Sequence, residues 1–356
     1  MTHLFSPLDL RGTHLRNRIM VSPMCQYSVE DQDGVPTPWH LVHLGGLARG
    51  GAGLVMAEAT SVVPEGRISP QDTGLWSDEQ AQAWAPIVAF IQGQGAIAGV
   101  QLAHAGNKAS TYRPWSGRGS VPAAEGGWTT VGPTSTGYPG YADPRALSTD
   151  ELPGVVAAFV AATERALAAG FDTVEVHAAH GYLLHQFLSP LSNDRADGYG
   201  GDLAGRSRLL REVVAAVRAA WPEDRALLVR ISATDWVTGG HTLDDSVVVA
   251  GWLRDLGVDL IDVSSGGVSP TQDITPGPGY QVALAARIRR EAEIPVAAVG
   301  MITDSSQAEA ILAEGSADVV ALARVLLRDP QWPLRAAHEL GAEAPWPPQL
   351  LRGRFT

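Results

Sequence analysis

Thr173-Val174-Glu175-Val176 runs directly into His177-Ala178-Ala179-His180-Gly181-Tyr182, so a short β-rich segment delivers two imidazoles and a phenol at its end. Seven comparable apolar runs lie around it: Ile19-Val21, Gly53-Glu58, Ala98-Leu102, Leu227-Ile231, Leu260-Val263, Val296-Val299 and Val319-Leu322. Longer helical patterns separate them, which is the arrangement of repeated βα units around a parallel sheet. Eight units predict a (β/α)₈ TIM barrel with active-site loop insertions, forming a single domain over residues 1–356. Such barrels place their chemistry at the carboxyl ends of the strands, where His177, His180 and Tyr182 would converge.

The helical pattern before this run is well punctuated. Leu152, Val155, Val156, Phe159, Val160, Thr163 and Leu167 share one face, Ser148 and Glu151 form a capping-box pair ahead of them, and Gly170 closes the helix. Asp304, Gly315, Asp329 and Pro330 mark the last two units, with Pro330 expected as a first helical residue. Two stretches break the alternation, Ala109 to Leu147 and Ala178 to Leu203. Long ordered loops at strand ends are commonly functional, so these are expected to form a lid and one wall of the site.

The 356 residues carry 26 basic and 38 acidic side chains, a net charge of -12, with no Lys/Arg cluster to follow nucleic acid or an anionic membrane. One cysteine, Cys25, excludes an internal disulfide and a four-thiolate cluster and suits a reducing cytoplasm. No signal peptide and no run of about 18 apolar residues is present.

Two histidines three apart can be metal ligands, and His40 and His43 could be offered as further ones, but no H-E-x-x-H arrangement occurs and no metal is expected. The alternative is two N–H donors aimed at one oxygen, stabilising negative charge that develops on a carbonyl. Tyr182 then suits a proton donor, since a phenol with a pKa of about 10 keeps its proton at neutral pH. Arg230 stands within an apolar strand, where a buried charge requires an anion. A carboxylate of the same barrel is the other way to satisfy it.

The run from His177 to Arg206, with Ser22-Pro23-Met24-Cys25-Gln26-Tyr27, Glu58-Ala59-Thr60 and Gln101-Leu102-Ala103-His104-Ala105-Gly106, resembles the Old Yellow Enzyme family of flavin-dependent ene-reductases, in its thermophilic-like branch. The resemblance spans nearly the whole chain. It implies an FMN enzyme that accepts a hydride from NADPH or NADH and reduces the C=C bond of enones, enals and related electrophiles. No G-x-G-x-x-G follows a first strand, so the nicotinamide is expected at the same flavin face as the substrate.

By resemblance, His177 and His180 hold the activating group and Tyr182 donates the proton. Ser22, Pro23, Met24 and Cys25 contact the isoalloxazine, Cys25 tuning it rather than serving only as a small buried hydrophobe. Ala59 leaves room for the ring, Gln101 bonds its pyrimidine edge, and Arg230 faces reduced flavin. Ser264, Gly300, Ala323 and Arg324 take the phosphate end, and Tyr27 and Ile68 line the substrate pocket. Pro345, Pro347 and Pro348 keep the tail, 345–356, from forming a further helix. The resemblance places Arg352 of that tail across a subunit interface, in a homodimer or an assembly of dimers. A flavin dehydrogenase or demethylase running the same site in reverse, a non-catalytic flavin redox sensor, and a flavin-free aldolase or hydrolase are the rival readings.

Overall fold

A computed structural model describes residues 2–355. The chain opens on a hairpin, β1 (Leu8–Leu10) with β2 (Thr13–Leu15). The strands that follow are β3 (Ile19–Val21), β4 (Leu54–Ser61), β5 (Ile97–Ala103), β6 (Val131–Gly132), β7 (Arg145–Ala146), β8 (Thr173–Ala178), β9 (Leu227–Ser232), β10 (Leu260–Ser264), β11 (Val296–Ala298) and β12 (Val319–Leu322). All but β6 and β7 close into a parallel barrel in the order β3-β4-β5-β8-β9-β10-β11-β12. The eight runs expected from sequence are these strands, the second extending further, to Ser61.

The helices are α1 (Pro38–Arg49), α2 (Asp78–Gly93), α3 (Leu152–Ala168), α4 (Leu183–Leu188), α5 (Leu203–Arg206), α6 (Arg208–Ala220), α7 (Leu243–Asp255), α8 (Val282–Ala292), α9 (Ser305–Ala313), α10 (Arg324–Arg328) and α11 (Trp332–Glu339). A turn at Thr149–Glu151 leads into α3, and the Ser148–Glu151 capping box is formed as expected. Gly170 closes the helix with φ +91, a conformation that costs glycine nothing. Pro330 is not the first residue of a helix: it lies in the turn before α11, whose first turn holds Pro333 instead. Both prolines sit where no helical N–H is needed, so spacing alone did not choose between them.

Alternation along each strand divides the core in two. Outward side chains such as Val174, Val176, Val229 and Ile231 pack under the helices, with Trp84, Phe159 and Phe171 fully buried among them. Burial of each large apolar side chain contributes about 1.5–3 kcal/mol. Inward side chains Met20, Leu54, Met56, Leu228, Leu260, Ala297 and Val319 fill the lower barrel above the hairpin's Leu10 and Leu15. Above that apolar layer β5, β8, β9 and β10 point Gln101, Glu175, Arg230 and Asp262 inward, all buried. The polar upper half faces the carboxyl ends of the strands, and the site is built there.

Candidate active site

His177 ends the inward row of β8, and His180 follows in a left-handed turn with φ +60. Gly181 continues it at φ +72, where an added Cβ would lie 2.3 Å from Gly267 O. Lys108 Nζ ties the turn down by donating to the carbonyls of His180 and Gly267, each at 2.9 Å. Its ammonium also lies 5.2 Å from the Tyr182 ring centroid and 4.8 Å from that of Tyr138. The strained turn stacks the three groups edge to face, with the His177 centroid 5.1 Å from those of both His180 and Tyr182.

Local hydrogen bonds restrict the imidazole tautomers. The Ala179 N–H donates to His177 Nδ1 at 3.3 Å, so the His177 proton sits on Nε2. That Nε2 is 3.4 Å from His180 Nδ1, and His180 Nε2 is 2.7 Å from Ser264 Oγ. Burial, and then the charge of Arg230, hold both histidines well below their ordinary pKa and therefore neutral. Burial, with Cys25 and Asp72, pushes the Tyr182 phenol up. Two neutral N–H groups and a protonated hydroxyl are thus gathered at one place.

Tyr182, Tyr27, Ile68 and Lys108 line one cavity of about 520 Å³, whose other side is built by Thr111, Tyr112 and Tyr141 from the loop after β5. That loop, expected as a lid, carries the short parallel β6–β7 pair. Tyr27 itself is left-handed at φ +51. Its pKa is pushed up, by Cys25 first and then by burial. Burial, Asp72 and Glu58 in turn push the Cys25 thiol up, so it stands as a protonated thiol beside the Tyr27 hydroxyl. Arg352 is not among the residues lining this cavity; it stands exposed on a short turn, Pro348–Gly353, while Phe355 of the same tail stacks on His338 at 4.9 Å.

A second cavity, of about 270 Å³, joins Arg230, Ser264, Gly300, Ala323 and Arg324. Sequence reasoning missed Gln281 and Tyr280, which line it as well. Gln281 accepts from Ser265 Oγ at 2.5 Å and donates to Val299 O at 3.1 Å, a buried amide two residues past Gly279 with no motif around it to draw attention. Lys108 was equally silent, because its use depends on carbonyls 72 and 159 residues away.

For Arg230 the sequence favours reduced flavin as its anion and leaves a carboxylate of the same barrel as the alternative; that carboxylate is present. Arg230 Nε lies 3.0 Å from Asp262 Oδ2, so its charge has a partner inside the barrel. The approach is off the hydrogen-bonding direction, and Arg230 Nε and both Asp262 oxygens stay buried without a hydrogen bond. Gln101 Nε2 donates to Glu175 Oε1 at 2.7 Å. Ser22, Pro23, Met24 and Ala59 stand at the upper ends of β3 and β4, Ala59 just past a bulge. Among the described residues, no group of three or more His, Cys, Asp or Glu side chains is placed to share a metal ion. His40 serves instead as a helix-start partner, its Nδ1 accepting from Thr37 N at 2.8 Å and its Nε2 3.3 Å from Glu58 Oε1.

These residues fit a flat, polar-edged cofactor with a phosphate tail. Arg230 offers an unspent donor at one end. At the other, Gly300 lines the cavity at φ +126, where a Cβ would lie 3.0 Å from Gln281 Nε2 and leave no room for a side chain, and Arg324 has no ion-pair partner among the described residues.

A closed parallel barrel with a neutral histidine pair, a buried tyrosine and a phosphate-sized pocket at its carboxyl end defines a barrel flavin oxidoreductase. The chain belongs to the NADH:flavin oxidoreductase / NADH oxidase family, whose pattern it matches over residues 3–343, and it is an FMN-dependent enzyme of the NADPH dehydrogenase kind. It is 46% identical over 349 residues to the NADPH dehydrogenase of Bacillus licheniformis, covering 98% of each chain. Identity to the NADPH dehydrogenase of Bacillus subtilis is 44% over 351 residues, again 98% of each. Among solved structures, morphinone reductase superposes with a TM-score of 0.80 at 29% identity, over 96% of this chain and 91% of that one. The Old Yellow Enzyme homologue from Zymomonas mobilis gives 0.79 at 29%, over 96% and 94%.

Proposed function

We propose that this enzyme is an ene-reductase, oxidising NADPH and reducing the activated C=C bond of α,β-unsaturated carbonyl compounds and related electrophiles in ping-pong turnover at one site. Bound FMN supplies the two-electron transfer. The observation that carries the reading is the grouping of Tyr182 with two neutral imidazoles whose facing nitrogens are 3.4 Å apart. With Ser264 donating to His180 Nε2, His180 Nδ1–H and His177 Nε2–H bracket one carbonyl oxygen and stabilise the charge it gains. Tyr182 holds its proton until a carbon needs it, as its raised pKa requires.

Ser22, Pro23, Met24, Cys25, Ala59, Gln101 and Arg230 would hold the flavin ring, and Ser264, Gly300, Ala323 and Arg324 its phosphate end. Tyr27 and Ile68 shape the substrate pocket, and Arg352 enters it from a second copy in a homodimer. Reliance on NADPH, with one free thiol, suits the cytoplasm. No helix of the described residues is long and apolar enough to cross a membrane.

The test is anaerobic. NADPH should bleach the flavin, and cyclohexenone should restore its colour. Bleaching followed by no recolouring with any enone, enal, imide or nitroalkene would overturn the reading.

A further inference from the structure

Within the polar layer of the barrel two acids face one base. Asp262 of β10 stands level with Arg230 of β9 and within ion-pairing distance of it, while Glu175 of β8 lies one inward position lower, level with Leu228. Glu175 keeps Oε2 buried with no hydrogen-bond partner, as Asp262 does both its oxygens. Three buried carboxylate oxygens without donors are costly if both acids are ionised, and the cost falls if the pair holds a proton. Burial, and then the Asp262 charge, push Glu175 up to about 8, while burial also pushes Asp262 up against the pull of Arg230. Two acids this strongly coupled titrate as one unit.

No other group facing the pair supplies that proton. Above it on β8 stand His177 and then His180, both held neutral. β5 contributes the neutral Gln101, and the inward residues of β3, β4, β11 and β12 are the apolar Met20, Met56, Ala297 and Ala321. Across the second cavity Tyr280 feels Arg324 and Arg230, and Lys108 lies beyond the histidines.

We infer that the Glu175–Asp262 pair is a proton-uptake site: when the flavin seated against Gln101 and Arg230 is reduced, the pair binds one proton from solvent. The inference rests on that seat for the flavin. NADPH delivers two electrons and one proton as hydride, so the cofactor gains one negative charge beside Arg230. Arg230 then neutralises the cofactor less completely than it did Asp262 alone, and a second proton on the acid pair restores the charge of the barrel interior. The proton leaves again when the cofactor is reoxidised.

The midpoint potential of the holoenzyme, measured spectroelectrochemically from pH 6 to 7.5, where the resting pair keeps its first proton, reads this directly. Each proton taken up with two electrons adds about 30 mV per pH unit, so wild type should fall by about 60 mV per unit and the double variant Glu175→Gln with Asp262→Asn, which leaves neither acid, by about 30. A dye in weak buffer should register one proton consumed per NADPH oxidised in wild type and none in the variant. A slope of about 60 mV retained in the double variant would put the proton on the flavin and overturn the inference. Should that variant fold poorly, the infrared difference spectrum of wild-type reduction serves: a protonated carboxyl band must grow, and its absence is equally fatal. Gln101→Ala separates the two claims. A wild-type slope of about 30 mV together with FMN affinity lost in Gln101→Ala refutes the proton pair and keeps the seat; unchanged FMN affinity refutes the seat.

Discussion

Tyr182 and the two histidines make separable contributions, because one group holds a proton and the other two hold a charge. Tyr182→Phe keeps the ring packed against His177 and removes only the hydroxyl. Enone turnover should fall by about 10²–10⁴ while flavin bleaching by NADPH is unchanged. Rapid-mixing measurement of the two half-reactions checks this, and an unimpaired oxidative half-reaction would remove Tyr182 from the role. Replacing His177 or His180 by Ala should slow the enone step by roughly 10²-fold or more and weaken phenol binding, since a phenolate imitates the developing oxyanion. Phenol titration followed by the flavin absorbance gives the affinity; binding as tight as wild type would count against the histidine pair.

The turn between β8 and α4 does the positioning at the scale of an element. His180 and Gly181 both adopt positive φ, and Lys108 pins their carbonyl partners from the loop after β5. Gly181→Ala places a methyl 2.3 Å from Gly267 O at φ +72, so neither the space nor the backbone admits it. The variant should lose more than about 1 kcal/mol of stability and most enone activity, read as a lowered Tm and a lowered kcat. A variant with wild-type Tm and kcat would show that the turn carries no such strain.

At the scale of the whole molecule, acid should unfold this protein through its buried histidines. His104 accepts the Gly106 N–H on Nδ1 at 3.0 Å, and burial pushes it down to about 4. The unfolded imidazole titrates near its ordinary value of 6.5, so below that the unfolded chain binds a proton the folded chain refuses. This contribution is therefore complete above pH 6.5 and lost as pH falls from 6.5 to 4. About 2.5 units at 1.36 kcal/mol each make it on the order of 3 kcal/mol. His104→Gln, whose amide oxygen can accept the same N–H, should show a visibly smaller drop in Tm between pH 7 and 5; an identical drop would exonerate His104. The tail gives the other molecular prediction. Truncation after Gln349 should raise KM for enones and loosen a dimer while FMN stays bound, and sedimentation with steady-state kinetics checks both. A fully active monomer would rule out a shared site.

The strands, the capping box at Ser148 and Glu151, and the position of His177, His180 and Tyr182 at a strand end were legible in the sequence because each depends on neighbours a few residues away. Its apolar strand neighbours marked Arg230 as a buried charge needing an anion. What faces it was not legible, since Asp262 is 32 residues on and meets it only through the parallel register of β9 and β10. Lys108 and Gln281 were missed for the same reason: their partners are backbone carbonyls and a hydroxyl brought in by other units of the barrel. Local chemistry determined which groups this chain could bring to a site. Closure of the barrel decided which of them share one environment, and through burial it set which imidazoles are neutral and which acids hold a proton, because desolvation is a property of the packed whole.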